Sequence, residues 1–220
     1  MNTRSIDAGD RHASRRERER QMHRDAILQA AEAVFAEQGF EGATMEAVAA
    51  RAEFSVGSLY NFFSGKDHLY AEVLRKIAED YRARFEEVLR TAPTPLDAIR
   101  ASVRLHFEEI ERHGPFFRAL LADRPGARLC PDSAIPEECR QQYDAYLDAL
   151  ADLIRHAVAA GQVRPVDPQI GALMLEGTIH AASAFWHRRN EAVPLERRIA
   201  LITEHIVDGL LAVSKEESSR

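Results

Sequence analysis

The stretch Thr44–Leu69, TMEAVAARAEFSVGSLYNFFSGKDHL, holds two short helical patterns separated by Glu53, Phe54 and Ser55. Thr44 can cap the first of them, because its hydroxyl accepts a bond from a backbone N–H that the helix leaves unpaired, and Glu46 stands favourably in the positive first turn. Met45, Val48, Ala49 and Ala52 then supply one apolar face. Ser55 is a second capping residue, and the segment Val56–Phe62 is too short to persist as an isolated helix. It must lean on its neighbours. The spacing turns Leu59, Phe62 and Phe63 inward and leaves Val56, Gly57, Ser58, Tyr60 and Asn61 outside. That outer set is small, polar and aromatic, suited to a DNA major groove, and the whole stretch reads as a helix-turn-helix.

On the N-terminal side, Ile27, Ala31, Val34 and Phe35 recur at helical spacing and predict a first helix over about Gln21–Gln38. Gly39 ends it, and Phe40 folds back towards Phe35. Residues Met1 to about Ser14 show no periodicity and are expected to be disordered. They form part of a flexible basic arm over residues 1–20, followed by a DNA-binding domain over 21–66. Arg15, Arg16, Arg18, Arg20 and Arg24 cluster at the helix entry, as a solvated helix start or as a phosphate-contacting arm.

Gly39, Thr44, Val48, Ala49, Ala52, Ser55, Gly57, Leu59, Tyr60, Phe63, Lys66 and Leu69 fall where the TetR-type transcriptional regulators carry their signature, and the stretch resembles that family. It departs at Glu53, where the family usually has glycine in the turn, and at Phe54, where it usually has valine. A non-glycine residue with positive φ costs about 1 kcal/mol, which the turn can absorb. The resemblance implies that Thr44, Ser55, Ser58, Tyr60 and Lys66 touch DNA phosphates and that Val56, Gly57 and Asn61 lie close to base edges. It also implies that the helices after Asp67 form an effector and dimer domain over residues 67–213. The last two long helices would then pair with their copies in a homodimer.

Past the helix-turn-helix, Asp67–Arg90 reads as a long helix striped by Tyr70, Leu74, Ile77, Tyr81, Phe85 and Val88. Pro93 and Pro95 break the pattern, and Thr94 caps a helix to about Arg112 that Gly114 and Pro115 stop. A short apolar helix with Phe116, Phe117, Leu120 and Leu121 is expected next, then a loop over Arg124–Ile135. Pro136 opens a helix that Gly161 stops, and Asp167 with Pro168 starts another to about Arg188. A last helix is expected over Leu195–Val213, with a polar tail over residues 214–220. No strand-like alternation interrupts this order, so the class is all-α.

The 220 residues carry a formal charge of −6, against the simplest electrostatic expectation for a DNA binder. Positive charge is local, so binding should depend on fit and orientation more than on bulk charge. Cys130 and Cys139, the two cysteines, cannot make a cysteine zinc site and are taken as reduced thiols, Cys139 packed. No secretory signal or membrane span is apparent, so a cytoplasmic location and no membrane partner are expected.

Phe107, Phe116, Phe117, Tyr146, Leu150 and Met174 are candidate effector-facing residues, although aromatic residues at helical spacing more often serve a core. Glu176, His180, Ser183 and His187 share one side of a helix. They are either a partial ligand set or a solvated or interface stripe, and no metal or other cofactor is expected. His106, His113 and Tyr143 either line a pocket or satisfy their polar ends at a helix boundary.

The chain therefore reads as a ligand-responsive transcriptional regulator, a homodimeric repressor released from a palindromic double-stranded DNA operator by a small-molecule effector. No catalytic residue is assigned: phosphate-binding glycine loops and nucleophile elbows are missing from the sequence. An alternative is a protein-interaction adaptor that keeps the helix-turn-helix without sequence-specific DNA binding.

Overall fold

The computed structural model describes residues 4–123, 137–189 and 193–211, and among them every regular element is helical. In chain order these are α1 (Arg4–Gly42), α2 (Met45–Ala52), α3 (Val56–Tyr60), α4 (Lys66–Thr91), α5 (Pro95–Asp123), α6 (Glu137–Ala159), α7 (Pro168–Arg188) and α8 (Leu195–Ile202). A π-helical segment, Thr203–Leu211, follows α8. The fold is all-α. Two compact units divide it, unit 1 from residues 1–76 and 115–136 and unit 2 from residues 77–114 and 137–220.

In unit 1, α1 is interrupted at Gly39, whose φ of 71° and ψ of 174° only glycine adopts without strain, so the turn falls where the sequence places it. Phe40 then stacks at 6.2 Å on Phe35, and Tyr70 meets both rings edge-on at 4.9 and 5.0 Å. The N-terminus differs from expectation: helix begins at Arg4, well inside the arm read as disordered. Once Ile27, Leu28 and Ala31 anchor the helix by burial, each residue added towards the N-terminus gains a backbone bond without a new nucleation cost.

The N-terminus of α5 is capped as the sequence indicates. Thr94 Oγ1 accepts from the Asp97 backbone N–H at 3.1 Å and donates to the Asp97 carboxylate at 2.8 Å. Gly114 and Pro115 do not stop this helix; Pro115 lies inside it. Proline deletes one backbone bond and crowds the preceding turn, and a long helix held along its length by other burial tolerates that loss. Val103 and Phe107, before the proline, are wholly buried in unit 2, and Phe116, just after it, is buried in unit 1.

The core of unit 2 gathers Ile99, Val103 and Phe107 of α5, Leu150 and Ile154 of α6, Leu175 and Ile179 of α7, and Ile199 and Ile202 of α8. Gly161, at φ 66°, ends α6, and Asp167 caps α7 through its Oδ1, which accepts from the Ile170 N–H at 3.0 Å. Gly171 lets α7 close on α6: a Cβ there would lie 3.3 Å from Ile154 Cδ1. The last helix is not uniform as expected. It widens into π geometry from Thr203, which an apolar spacing of three and four cannot distinguish in advance. Arg100 reaches Asp208 of that segment at 2.8 Å, and Arg104 pairs with Glu196 of α8 at 2.7 and 2.8 Å.

The loop expected over Arg124–Ile135, the helix start at Pro136, the tail and the side chains of Phe117, Leu120, Leu121, Cys130, Cys139 and His187 lie outside the described residues.

Candidate nucleic-acid interface

Thr44 has extended backbone, φ −127° and ψ 156°, and its Oγ1 accepts from the Ala47 N–H at 3.1 Å. Met45, Val48 and Ala49 are buried, which fixes the face of α2 that turns inward. The helix closes on Glu53 in the left-handed region, φ 60° and ψ 35°. Glu53 N–H reaches the Ala50 carbonyl at 3.4 Å and Phe54 N–H the Ala49 carbonyl at 3.0 Å, the paired bonds of a Schellman closure. A glutamate thus stands where a glycine would be unstrained, and Phe54 clamps the turn by packing edge-on against His23 of α1 at 5.2 Å.

Ser55 repeats the capping arrangement one helix later. Its Oγ accepts from the Ser58 N–H at 3.1 Å and is hydrogen-bonded to Ser58 Oγ at 2.7 Å. The α3 helix runs only to Tyr60. Asn61 and Phe62 continue as a tighter turn, their N–H groups reaching the Ser58 and Leu59 carbonyls at 3.2 and 2.9 Å. Leu59 and Phe63 are almost wholly buried and carry the helix. Phe62, expected inward, is half-buried, with the Arg20 guanidinium 5.8 Å from its ring.

What remains outside is a surface of mixed small and polar groups. Gly57 and Asn61 are exposed, Val56 and Ser58 are half-buried, and Tyr60 is 54% exposed. Gly57 is informative, because a Cβ built there meets nothing nearer than Ser55 Oγ at 4.0 Å. The fold therefore does not require glycine at this position. Lys66, at the start of α4, lies back over the first turn, its Nζ 4.5 Å from the Phe40 ring and donating to the Glu41 carbonyl at 3.4 Å.

The arginines at the helix entry divide into two kinds. Arg15, Arg16, Arg18 and Arg20 are exposed, Arg15 pairing with Glu19 at 2.9 Å. Arg24 is built into the unit: it pairs with Glu72 and lies 5.5 Å over the Phe63 ring. Arg51 of α2 is tied to Glu37 of α1 by two bonds of 2.7 Å. His68 is a residue that sequence reading passes over. Its Nδ1 accepts from the Ser64 N–H at 3.1 Å, ordering the chain between Phe63 and α4.

The chain is similar in sequence and fold to known proteins. Residues 27–73 match the family model described as bacterial regulatory proteins, tetR family. The HTH-type transcriptional repressor KstR2 of Mycolicibacterium smegmatis is 31% identical over 147 residues, covering 64% of this chain and 68% of that protein. The chain belongs to the tetR family. The HTH-type transcriptional regulator RutR of Escherichia coli is 32% identical over 149 residues, 66% of each chain. Among solved structures, a Clostridium perfringens protein described as a putative fatty acid metabolism regulator superposes with a TM-score of 0.69 at 24% identity. That superposition covers 86% of this chain and all of the other, a likeness of fold. Membership makes this tetR-family protein a transcriptional regulator with a helix-turn-helix for DNA.

Of the residues proposed from sequence to face an effector, Phe107, Leu150 and Tyr146 belong to or pack against the core of unit 2 and Phe116 belongs to unit 1. Phe107 and Leu150 are wholly buried in the unit 2 core, with Phe107 beside Trp186 at 6.2 Å. Phe116 lies in unit 1, 5.3 Å from Tyr70 and 6.4 Å from Phe35. Met174 is 44% exposed on α7. Tyr146 is half-buried in unit 2, its ring 5.0 Å from both Tyr81 and Phe85, and it donates its hydroxyl proton to Glu176 Oε2 at 3.2 Å. Among the described residues, no helix is long and apolar enough to cross a membrane.

Proposed function

We propose that this chain is a homodimeric, ligand-responsive repressor that places the outer face of α3 in consecutive major grooves of a palindromic operator. The observation that carries the reading is Gly57. It is exposed on α3 with room for a side chain the fold does not supply, as expected where a helix must approach DNA closely. Tyr60 and Asn61 flank it, Asn61 with an amide able to pair with adenine N6 and N7, while Thr44, Ser55, Ser58 and Lys66 are assigned to phosphates. The exposed Arg15, Arg16, Arg18 and Arg20 add a local positive approach in a chain of net charge −6.

The second copy is assigned to α7. Ile170, Leu173, Met174 and Phe185 are 52, 53, 44 and 44% exposed, and with exposed Gly177 and Ala181 they form an apolar stripe at helical spacing. Such a stripe suits a two-fold interface, in which one patch meets its own copy. An apolar or amphipathic effector is assigned to unit 2, with Tyr146 as its principal contact and the core containing Phe107 and Leu150 behind it. Release follows if the effector binds best to a conformation that misplaces the α3 helices. Operator and effector then weaken each other reciprocally. The setting is the cytoplasm.

The test is selection from a random duplex pool with the purified full chain at moderate salt. A two-fold symmetric sequence in the enriched fraction supports a dimeric reader. A folded dimer that enriches no sequence would instead support an adaptor role.

A further inference from the structure

We infer that His106, Glu176 and His180 form a binding site for a divalent transition-metal ion, zinc fitting best, with three protein ligands and a fourth position left for water or an exogenous group. The inference concerns metal binding in unit 2 and does not depend on the operator or effector reading.

The argument begins with spacing. Glu176 and His180 stand one turn apart on α7, and His106 comes from α5. Glu176 Oε1 lies 3.3 Å from His106 Nδ1 and 3.3 Å from His180 Nε2. Both are long for an N–H···O bond, whose usual separation is about 2.9–3.0 Å. They match the edge of a tetrahedron around zinc, since metal–ligand bonds of about 2.0–2.1 Å put neighbouring donors about 3.3–3.4 Å apart. The donor atoms of all three residues lie within 4.8 Å of one another, so a small closing motion of the exposed His180 completes the set.

The surroundings prepare the donors. Tyr146 occupies the other carboxylate oxygen at 3.2 Å, leaving Oε1 aimed between the two imidazoles; an outer hydrogen bond of this kind commonly orients a metal ligand. Tyr81 OH lies 3.4 Å from His106 Nδ1, a bond that the ion would displace, and the two histidine rings stand nearly perpendicular, at 84°, with centroids 4.9 Å apart. Glu176 has His106, His180 and Tyr146 around its carboxylate. Glu176 is nevertheless 2% exposed, so its charge gains most from a cation at this point. Two imidazoles and one carboxylate are a borderline-soft set that suits zinc and also copper or nickel, and disfavours magnesium and calcium.

The experiment uses the full chain, stripped with a chelator and titrated with Zn²⁺ against a chromophoric competitor and with Co²⁺ by visible absorption. One ion per chain is expected, with the intense cobalt bands of low coordination number. His180→Gln alters an exposed side chain and leaves the core untouched; it should weaken zinc at least about tenfold, and Glu176→Gln should do so too, while His156→Gln should change nothing. Tyr146→Phe should weaken binding about tenfold with both histidines intact. Circular dichroism checks each variant's fold, and His180→Gln decides if Glu176→Gln does not fold. Absence of stoichiometric binding by the folded wild type would overturn the inference. So would zinc affinity that survives His180→Gln, leaving Glu176 and its neighbours a hydrogen-bonded cluster.

Discussion

Gly57 and Glu53 make opposite statements about glycine, and each leads to a substitution. At Gly57 the backbone is helical and a methyl group has room, so Gly57→Ala should preserve the fold and add roughly 0.5–1 kcal/mol of stability in a urea titration. The same methyl, on the face assigned to DNA, should cost at least about tenfold in operator affinity, near 1.4 kcal/mol. Unchanged affinity would remove Gly57 from the contact face. At Glu53 the backbone is left-handed, and Glu53→Gly should raise stability by up to about 1 kcal/mol, the relieved strain partly offset by glycine's greater unfolded freedom. Loss of stability would show that the Glu53 side chain contributes more than its backbone costs. The caps were legible at this scale because Thr44, Ser55 and Thr94 act on N–H groups three residues away. The Lys66 ammonium over Phe40 and the Arg24–Glu72 pair were not, since both join residues far apart in sequence.

Helix starts were easier to read than helix ends. Thr94 predicts the start of α5 through a hydroxyl that serves both the Asp97 N–H and its carboxylate, and Thr94→Ala should cost about 1 kcal/mol in chemical denaturation with no change in DNA binding. A neutral result would mean that solvent caps the helix equally well. Gly39 and Gly161 mark ends correctly because both adopt positive φ. Gly114 and Pro115 do not, because a proline's local penalty is small beside the burial of Val103, Phe107 and Phe116 along α5. The π segment from Thr203 and the helical run before Arg15 escaped for a related reason. Each extends an anchored helix, and neither leaves a distinct mark in apolar spacing.

For the whole molecule, the all-α class and the helix-turn-helix were readable from periodicity and capping, while the candidate effector residues were not sorted by it. Phe107 and Leu150 repeat at helical spacing because they are core, Phe116 belongs to unit 1, and Glu176 meets His106 and Tyr146 only through the packing of unit 2. The exposed stripe on α7 carries the dimer proposal. Leu173→Glu should raise the dimer dissociation constant at least about tenfold in sedimentation, because each copy would bring a carboxylate to a two-fold contact. An unchanged dimer would move the interface elsewhere. The central claim is that a dimer reads DNA with the outer face of α3, and the measurement that tests it most directly is fluorescence anisotropy on the selected duplex and a scrambled one. Wild type should prefer the selected duplex strongly, and Tyr60→Ala, whose side chain is 54% exposed, should lose at least about tenfold in affinity while keeping its helix content and dimer. Equal affinity of wild type for the two duplexes, or of Tyr60→Ala and wild type for the selected one, would contradict the account.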